Sequence, residues 1–478
     1  MVLVDTTEKH TGRNVKTPSG TRSQQAPGMP QAAELPRSAL ALLVISLGYL
    51  MVIVDSTAVN VALPAIGRGT HGDVTWLQWV VDGYTLSFAG LLLTGGALAE
   101  RLGARRVFGT GLALFTVASA ACGLAPSLPF LVAARVVQGA GAALQVPSSL
   151  VLLQVTFPTR AGRARAFGVW GAIAGIGAAS GPVVGGLLVS TWSWRGVFFL
   201  NLPLALTALI LGARSVPAAP RRERAVDLPG QILGIAGLGL LAATLVQAGR
   251  AGWTSPLVLG GFCLAAAACG GFILAERAAA EPMLPLWLFS RPAFRSGSAV
   301  GLLINLGFYG QLFVMSLYLQ DTRGYSALAA GLALLPEAAL ISIASALSGR
   351  IMARTGPRLP MLAGLLLGSA GLAGLVVAGA HTSYVLLVAP MAAAGFGMAL
   401  TMPAATATVI EAAPADRGGI ASGVINASRQ AGAVLGVALL GSLVRSRADF
   451  IPGLHVSLVV AAAAFLTGAL ITLRGVRR

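Results

Sequence analysis

The sequence predicts an all-α membrane protein of two six-helix halves, with two further helices inserted between them. Three observations predict it. The 478 residues are 56% hydrophobic and only 10% charged, with a mean hydropathy of +0.80. A soluble domain needs far more charge to cover its surface. Apolar runs of 18 to 25 residues recur along the chain, the length a helix needs to cross roughly 30 Å of hydrocarbon. Lipid offers the backbone no hydrogen bonds, so each run reads as a helix. Finally, three motifs recur in the second half of the chain at nearly one offset.

Taken in order, residues 1–37 are polar and rich in Thr, Ser, Gly, Pro and Gln, the composition of a disordered cytoplasmic tail. No cleavable signal peptide is evident, because the first apolar run is long and begins near Ser38. Spans are placed at 38–61, 75–98, 106–125, 128–153, 165–189 and 196–213, the N-terminal bundle over 38–213. A linker over 214–295 carries two extra spans, 228–248 and 255–276. The C-terminal bundle over 296–475 holds spans 296–320, 326–349, 359–379, 382–408, 418–443 and 454–474. With the N-terminus inside, inward loops and tails carry 25 Lys and Arg against 6 in outward loops, while Arg135 and Arg429 fall within helices. The positive-inside rule therefore places both termini in the cytoplasm. Removing the pair 228–276 would leave this parity unchanged, so run length alone argues for fourteen spans over twelve.

The duplication is direct. Gly96-x-x-x-x-Arg101-x-Gly103 returns as Gly349-x-x-x-x-Arg354-x-Gly356, an offset of 253. Gly139-Ala-Gly141-Ala-Ala-Leu144-x-x-Pro147 returns as Gly395-Phe-Gly397-Met-Ala-Leu400-x-x-Pro403, an offset of 256. Gly168 and Gly181 return as Gly423 and Gly436, an offset of 255. Such a repeat suits halves that rock about a site near the bilayer midplane.

Other classes are disfavoured. The net charge of +17 sits in short loops without a basic face or stacking aromatics, so no nucleic acid partner is expected. Cys122, Cys263 and Cys269 lie in apolar runs without metal-ligand spacing. His10, His71 and His381 fall in tails or loops and His455 at the edge of the last span; no HExxH, Gly-x-Ser-x-Gly or phosphate-binding Gly-x-x-x-x-Gly-Lys-Ser/Thr pattern occurs. An enzyme is not expected, nor a metal, ATP or any other cofactor. A non-transporting receptor would leave the embedded carboxylates unexplained.

Four motifs carry a resemblance. Asp55-Ser-Thr57-Ala-Val59-Asn60-Val-Ala-Leu63-Pro64 ends the first span, and Gly96-Ala-Leu-Ala-Glu100-Arg101-Leu-Gly103-Ala-Arg105-Arg106 follows the second. The fourth span holds Arg135-Val-Val-Gln138-Gly139-Ala-Gly141 and the fifth Gly175-Ile-Gly177-Ala-Ala-Ser-Gly181-Pro182-Val-Val-Gly185-Gly186. Over residues 38–475 the chain resembles the major facilitator superfamily, within it the fourteen-helix drug:H⁺ antiporter branch, and especially actinobacterial antibiotic exporters of the methylenomycin-resistance type. One departure is Glu100, where that family's loop motif usually has Asp.

The resemblance implies proton-coupled efflux of small apolar or cationic molecules, such as antibiotics, by a monomer in the cytoplasmic membrane. A proton-coupled importer on the same fold is the alternative, against which the glycine-rich fifth helix speaks. Gly96, Glu100, Arg101, Gly103, Arg105 and Arg106 would latch the cytoplasmic side of the outward-open state; ordinary positive-inside anchoring explains the arginines but not the Gly/Glu spacing. Gly177, Gly181 and Gly185 form a stripe for tight helix packing, and Pro182 favours a bend that would seal the cavity against proton leak.

A charge near the bilayer centre costs ~2.5–3.5 kcal/mol on insertion scales and persists only when paired, hydrated or used. Five lie within spans away from their ends: Asp55, Asp82, Arg135, Glu337 and Arg429. Asp55, Asp82 and Arg135 share a depth, and the family fold places the first and fourth helices on the central cavity, so an Asp55–Arg135 pair is expected. Burial favours a neutral carboxyl and a neighbouring Arg⁺ an ionised one, which suits a proton-coupling site tuned by Arg135. The other reading of Asp55 is a helix-end gating carboxylate. Asp82 either binds cationic drug, joins the proton path or reaches interfacial water. Glu337 is a second proton or substrate candidate, at a depth that permits pairing with Arg429. Asn60, Gln138, Asn305, Tyr309, Gln311, Tyr318 and Arg429 either line the cavity or bond helix to helix. Phe308 and Phe313 face either substrate or lipid.

Overall fold

The computed structural model describes residues 34–217, 227–279, 282–414, 418–444 and 450–476. Of the tail expected over 1–37, residues 1–33 lie outside these; 34–37 already belong to the first helix. Among the described residues there are seventeen α-helices and no strand. The first half comprises α1 (Glu34–Thr70), α2 (Val74–Leu98), α3 (Ala104–Gly123), α4 (Leu128–Thr156), α5 (Arg160–Thr191), α6 (Arg195–Phe199) and α7 (Asn201–Ser215). The inserted pair is α8 (Leu228–Ala251) and α9 (Pro256–Ala278). The second half comprises α10 (Pro292–Leu317), α11 (Ala327–Ala333), α12 (Leu335–Ala339), α13 (Ile341–Thr355), α14 (Arg358–Gly374), α15 (Tyr384–Ala412), α16 (Gly418–Leu443) and α17 (Phe450–Gly475).

Thirteen stretches of the described residues are long and apolar enough to cross a membrane, and one of them, Val74–Gly123, runs 50 residues and contains both α2 and α3. Counting that stretch as two gives fourteen crossings. Helix starts follow local chemistry. Asp73 caps α2 by accepting from the Trp76 amide at 3.1 Å, and Ser255, with Pro256 next to it, opens α9.

Three expected spans differ from the helices. The first runs nine residues past its expected end at 61, straight through Pro64 to Thr70. Span 196–213 breaks at Leu200 into α6 and α7. Span 326–349 breaks into α11, α12 and α13. Pro336 explains the first of its breaks, since it offers no amide to the carbonyl four residues back and its ring crowds that carbonyl.

The two halves repeat their packing. α1 lies on α5 as α10 lies on α16, α3 on α4 as α14 on α15, and α1 on α7 as α10 on α17. Across the seam, α2 meets α16 and α5 meets α11. α8 wedges against α2 and α16, whereas α9 packs on α8 and leaves its window only 11% buried, a face turned to lipid.

The core is not evenly shared. At the end bearing Thr70 and Val74, one buried cluster joins both halves, from Val59 and Leu63 to Leu317 and Val437. At the opposite end, which bears Glu100 to Arg106, the first half keeps its own cluster around Val52, Phe88 and Phe115. The second half's clusters there, around Phe294 and Ala399, are likewise separate. Apolar burial thus holds the halves together at the Thr70 end.

Candidate functional site

Asp55 on α1 and Arg135 on α4 form a fully buried ion pair, Nη1 to Oδ2 at 2.5 Å, with each side chain at most 1% exposed. The expected pair is therefore present as geometry. Burial of two charges is costly unless the remaining donors and acceptors are used, and here most of them are, Asn201 Oδ1 being an exception. Arg135 Nη1 also donates to Gln138 Oε1 at 2.7 Å, and Nε to the Val80 carbonyl on α2 at 3.0 Å. Asp55 Oδ1 accepts from Gln138 Nε2 and from Asn201 Nδ2, both at 2.9 Å. Gln138 and Asn201 also donate to Ser119 Oγ, whose own proton goes to the Phe198 carbonyl at 2.8 Å. The Tyr84 ring covers the guanidinium, 4.2 Å from Cζ to ring centroid.

Gln138 thus belongs to the charge network instead of serving as a separate cavity group. Asn201, Ser119 and Tyr84 join it without being expected from the sequence. Asn201 carries one signal, an amide inside the otherwise apolar Phe199-Leu200-Asn201-Leu202 stretch. Ser119 and Tyr84 carry none, since Ser and Tyr occur throughout the spans.

Arg135 forms part of the wall of a cavity of about 70 Å³ between the halves, which Asn60, Asn305, Tyr309 and Arg429 also line. That volume holds water molecules and not a drug-sized ligand, which fills roughly 300–1,000 Å³. A larger molecule fits there only if the halves part. Tyr49 forms another wall, stacked on Trp170 with centroids 3.8 Å apart.

The other predicted residues lie off this cavity. Asp82 is fully buried and does not line it; both its carboxyl oxygens lack a hydrogen-bond partner among the described residues. Glu337, on the short α12, accepts from Gln311 Nε2 at 3.4 Å, and its Oε1 is unpartnered. The Glu337–Arg429 pairing that their depth permits is not formed: Arg429 donates instead to Asn426 Oδ1 at 3.2 Å, one turn back on its own helix. Similar depth on two helices does not make two side chains neighbours. Tyr318 is helix glue, its hydroxyl donating to the Gly379 carbonyl at 2.7 Å, and Phe313 is buried in the core.

The glycine motifs lie where backbones meet. A Cβ on Gly181 or Gly185 would run into Thr57 and Ala58 of α1, that on Gly185 lying 2.8 Å from the Ala58 carbonyl oxygen; one on Gly177 would meet Leu50. α5 continues unbroken through Pro182, whose carbonyl faces Gly331 of α11 across the seam. In the loop motif, Gly103 takes φ of +95° and its repeat counterpart Gly356 +75°, conformations that L side chains resist. Gly96 faces Pro147 of α4, while Arg101, Arg105 and Arg106 project outward, with Glu100 part-buried beside them in a π-helical turn.

At the Thr70 end the halves are bonded directly. Ser316 Oγ donates to the Asn60 carbonyl at 2.6 Å, Gln320 to the Val61 carbonyl at 2.9 Å, and Gln78 to the Val437 and Ala438 carbonyls at 3.1 and 3.0 Å. Gln78 also lines a wider hollow of about 860 Å³ at that end, while Val437 lines the central cavity, so this contact separates the two.

Comparison with known proteins agrees with this fold. The profile of the Major Facilitator Superfamily matches residues 45–437. The Methylenomycin A resistance protein of Streptomyces coelicolor is 36% identical over 458 residues, 94% of this chain and 96% of that protein. The Multidrug resistance protein Stp of Mycobacterium tuberculosis is 39% identical over 405 residues, covering 84% of this chain and 75% of its own. Among solved structures, a POT family transporter in complex with 5-aminolevulinic acid shares the fold with a TM-score of 0.69 at 16% identity, over 91% of this chain and 95% of that one. By its sequence profile, its relatives and its duplicated helical architecture, the chain belongs to the Major Facilitator Superfamily of membrane transporters.

Proposed function

We propose that the chain is a proton-coupled antiporter that exports small molecules such as antibiotics across the cytoplasmic membrane, with both termini in the cytoplasm and the monomer as the working unit. One observation carries the proposal: an ion pair wholly buried in a membrane-spanning bundle, with its arginine on the wall of the cavity between the halves. Export is supported by the relatives, which are named as resistance proteins.

Asp55 is the principal proton site in this reading, with Glu337 and Asp82 further along the path. Asp55, Arg135, Gln138, Asn201 and Ser119 all belong to the first half, so rocking of the halves does not pull them apart. What rocking changes is water access to Arg135 and, through it, to Asp55. A proton arriving on Asp55 removes the counter-charge of Arg135 and frees the guanidinium toward the cavity. With the loop-motif end facing the cytoplasm, the shared core at the Thr70 end corresponds to a transporter closed to the outside. Glu100 and the arginines beside it then latch the inner end when the halves swing the other way, while Gly181, Pro182 and Gly185 keep α5 tight on α1 throughout.

One proton entering down ~100 mV releases ~2.3 kcal/mol, and one pH unit adds ~1.4 kcal/mol. Together they sustain a concentration ratio of roughly 500-fold for a neutral substrate exchanged one for one. The test is drug-susceptibility profiling of a sensitive host expressing the chain, with and without a protonophore. Resistance to at least one compound that collapses with the protonophore is the expected result; resistance indifferent to it overturns proton coupling.

A further inference from the structure

We infer that the central cavity selects conjugated organic acids, compounds presenting a carboxylate, phenolate or enolate on a flat apolar body, with Arg429 as the anion-recognising group. The inference deepens the exporter reading by naming the substrate class of the same cavity.

Charge is the first argument. The cavity wall contains two arginines, Arg135 and Arg429, and no Asp or Glu among the described residues. Arg135 is matched by Asp55 at 2.5 Å. Arg429 has no carboxylate within salt-bridge distance among the described residues: Nη1 donates to the neutral Asn426 amide oxygen at 3.2 Å, and Nε is buried without a partner. The cavity therefore carries one positive charge without a fixed counter-ion, at membrane depth, where an isolated charge is expensive and persists when hydrated or used. A guanidinium presents five donors in a planar fork suited to two oxygens of one group.

The placement of Arg429 is the second argument. A Cβ on Gly301 of α10 would sit 3.4 Å from its Cγ, so the missing side chain there leaves room for the arginine stem beside the cavity. Tyr49 and Tyr309, from α1 and α10, line the same cavity as Arg429 and carry hydroxyls that can donate to an anion. At the repeat offset of 255, the first-half position corresponding to Arg429 is Ala174, so no duplicate of this cation exists.

The walls supply the rest. Tyr49 is held flat against Trp170 at 7° between planes, and Tyr309 is braced edge-on by Phe308 with centroids 5.6 Å apart. Once the halves part and the cavity widens, two braced aromatic rings and a cation on one wall suit a planar conjugated ligand whose charge is negative. Ammonium compounds meet repulsion from Arg429 and no carboxylate on the wall.

The experiment uses the purified full-length protein in lipid nanodiscs at pH 7.5 and three probes sharing one ring: 1-naphthoate, methyl 1-naphthoate and 1-naphthylmethylammonium. Binding is followed by calorimetry. The expected order is naphthoate tightest by about 10-fold or more over the ester, and the ammonium weakest. Arg429→Gln should bring naphthoate to the affinity of the ester while leaving the ester within about 2-fold, and Arg429→Lys should restore part of the difference. Equal affinities, or a preference for the ammonium, overturn the inference, as does an Arg429→Gln protein that weakens all three probes alike. If Arg429→Gln fails to fold, the wild-type order still tests the preference for an anion, and Arg429→Lys, which keeps the charge without the planar fork, tests its assignment to Arg429: naphthoate affinity unchanged in the lysine protein overturns that assignment. Everted vesicles separate this inference from the exporter reading. Gradient-driven export of cationic dyes with no effect of naphthoate leaves the exporter standing and sinks the inference. Arg429-dependent naphthoate binding without gradient-driven movement of any compound does the reverse.

Discussion

Asp55→Asn is the most informative single substitution in the molecule. The carboxylate accepts three hydrogen bonds, from Arg135 at 2.5 Å and from Gln138 and Asn201 at 2.9 Å each. An asparagine of the same shape has one acceptor oxygen, so its NH₂ must face a donor on at least one side. It also leaves Arg135 without a counter-charge in a site 1% exposed. Removing one partner of a buried pair costs about 3–5 kcal/mol, so the variant should melt at a lower temperature while still inserting. Transport loses more. Without a group at position 55 that takes up and releases a proton, the ~3.7 kcal/mol available from ~100 mV and one pH unit is uncoupled, and the roughly 500-fold gradient it sustains falls toward unity. Proteoliposomes with an imposed pH gradient and potential, supplied from outside with an antibiotic to which the chain confers resistance, provide the assay. Wild-type levels of protonophore-sensitive accumulation by Asp55→Asn, at equal reconstituted protein, would refute the assignment.

Four other outcomes follow from the same geometry. Gln78→Ala removes two hydrogen bonds across the seam, about 1.4 kcal/mol together at the lower end of their usual worth; a Ser316→Cys reporter at the Thr70 end should then react about tenfold faster with an impermeant thiol reagent, and an unchanged rate contradicts the gate. Gly186→Leu places a side chain whose Cβ would lie 2.5 Å from the Ala327 carbonyl oxygen, so it should prop α5 from α11 and abolish efflux with normal insertion; normal efflux would mean that the two helices need not touch. Glu337→Gln should alter the export of at least one compound, measured as a shifted susceptibility profile, and an unaltered profile for every compound removes Glu337 from the path. Arg68→Ala breaks an exposed bridge to Asp321 at 3.4 Å, worth less than about 1 kcal/mol, and should leave both resistance and thermal stability within error.

Helix number, the duplication and the embedding of Asp55 and Arg135 at one depth are legible in the amino-acid sequence by itself, because they follow from rules that act along the chain; that the two pair is what the family resemblance implies. Hydrocarbon thickness sets run length, an unpaired charge is too costly to keep in lipid, and a repeated motif brings its packing with it. The glycines of the loop and fifth-span motifs are legible for the same reason, since only a missing Cβ admits the backbone turn at Gly103 or the contact of Gly185 with Ala58. The tertiary structure decided what depends on rotation of one helix against another. It brought Asn201 and Ser119, 82 residues apart, onto one carboxylate network, kept Glu337 away from Arg429, turned Asp82 off the cavity and left Arg429 as its unmatched charge. Depth in a membrane is a property of sequence position, which apolar run length reveals; azimuth about the helix axis is set by packing between helices distant in the chain, and partnerships among buried polar groups depend on azimuth.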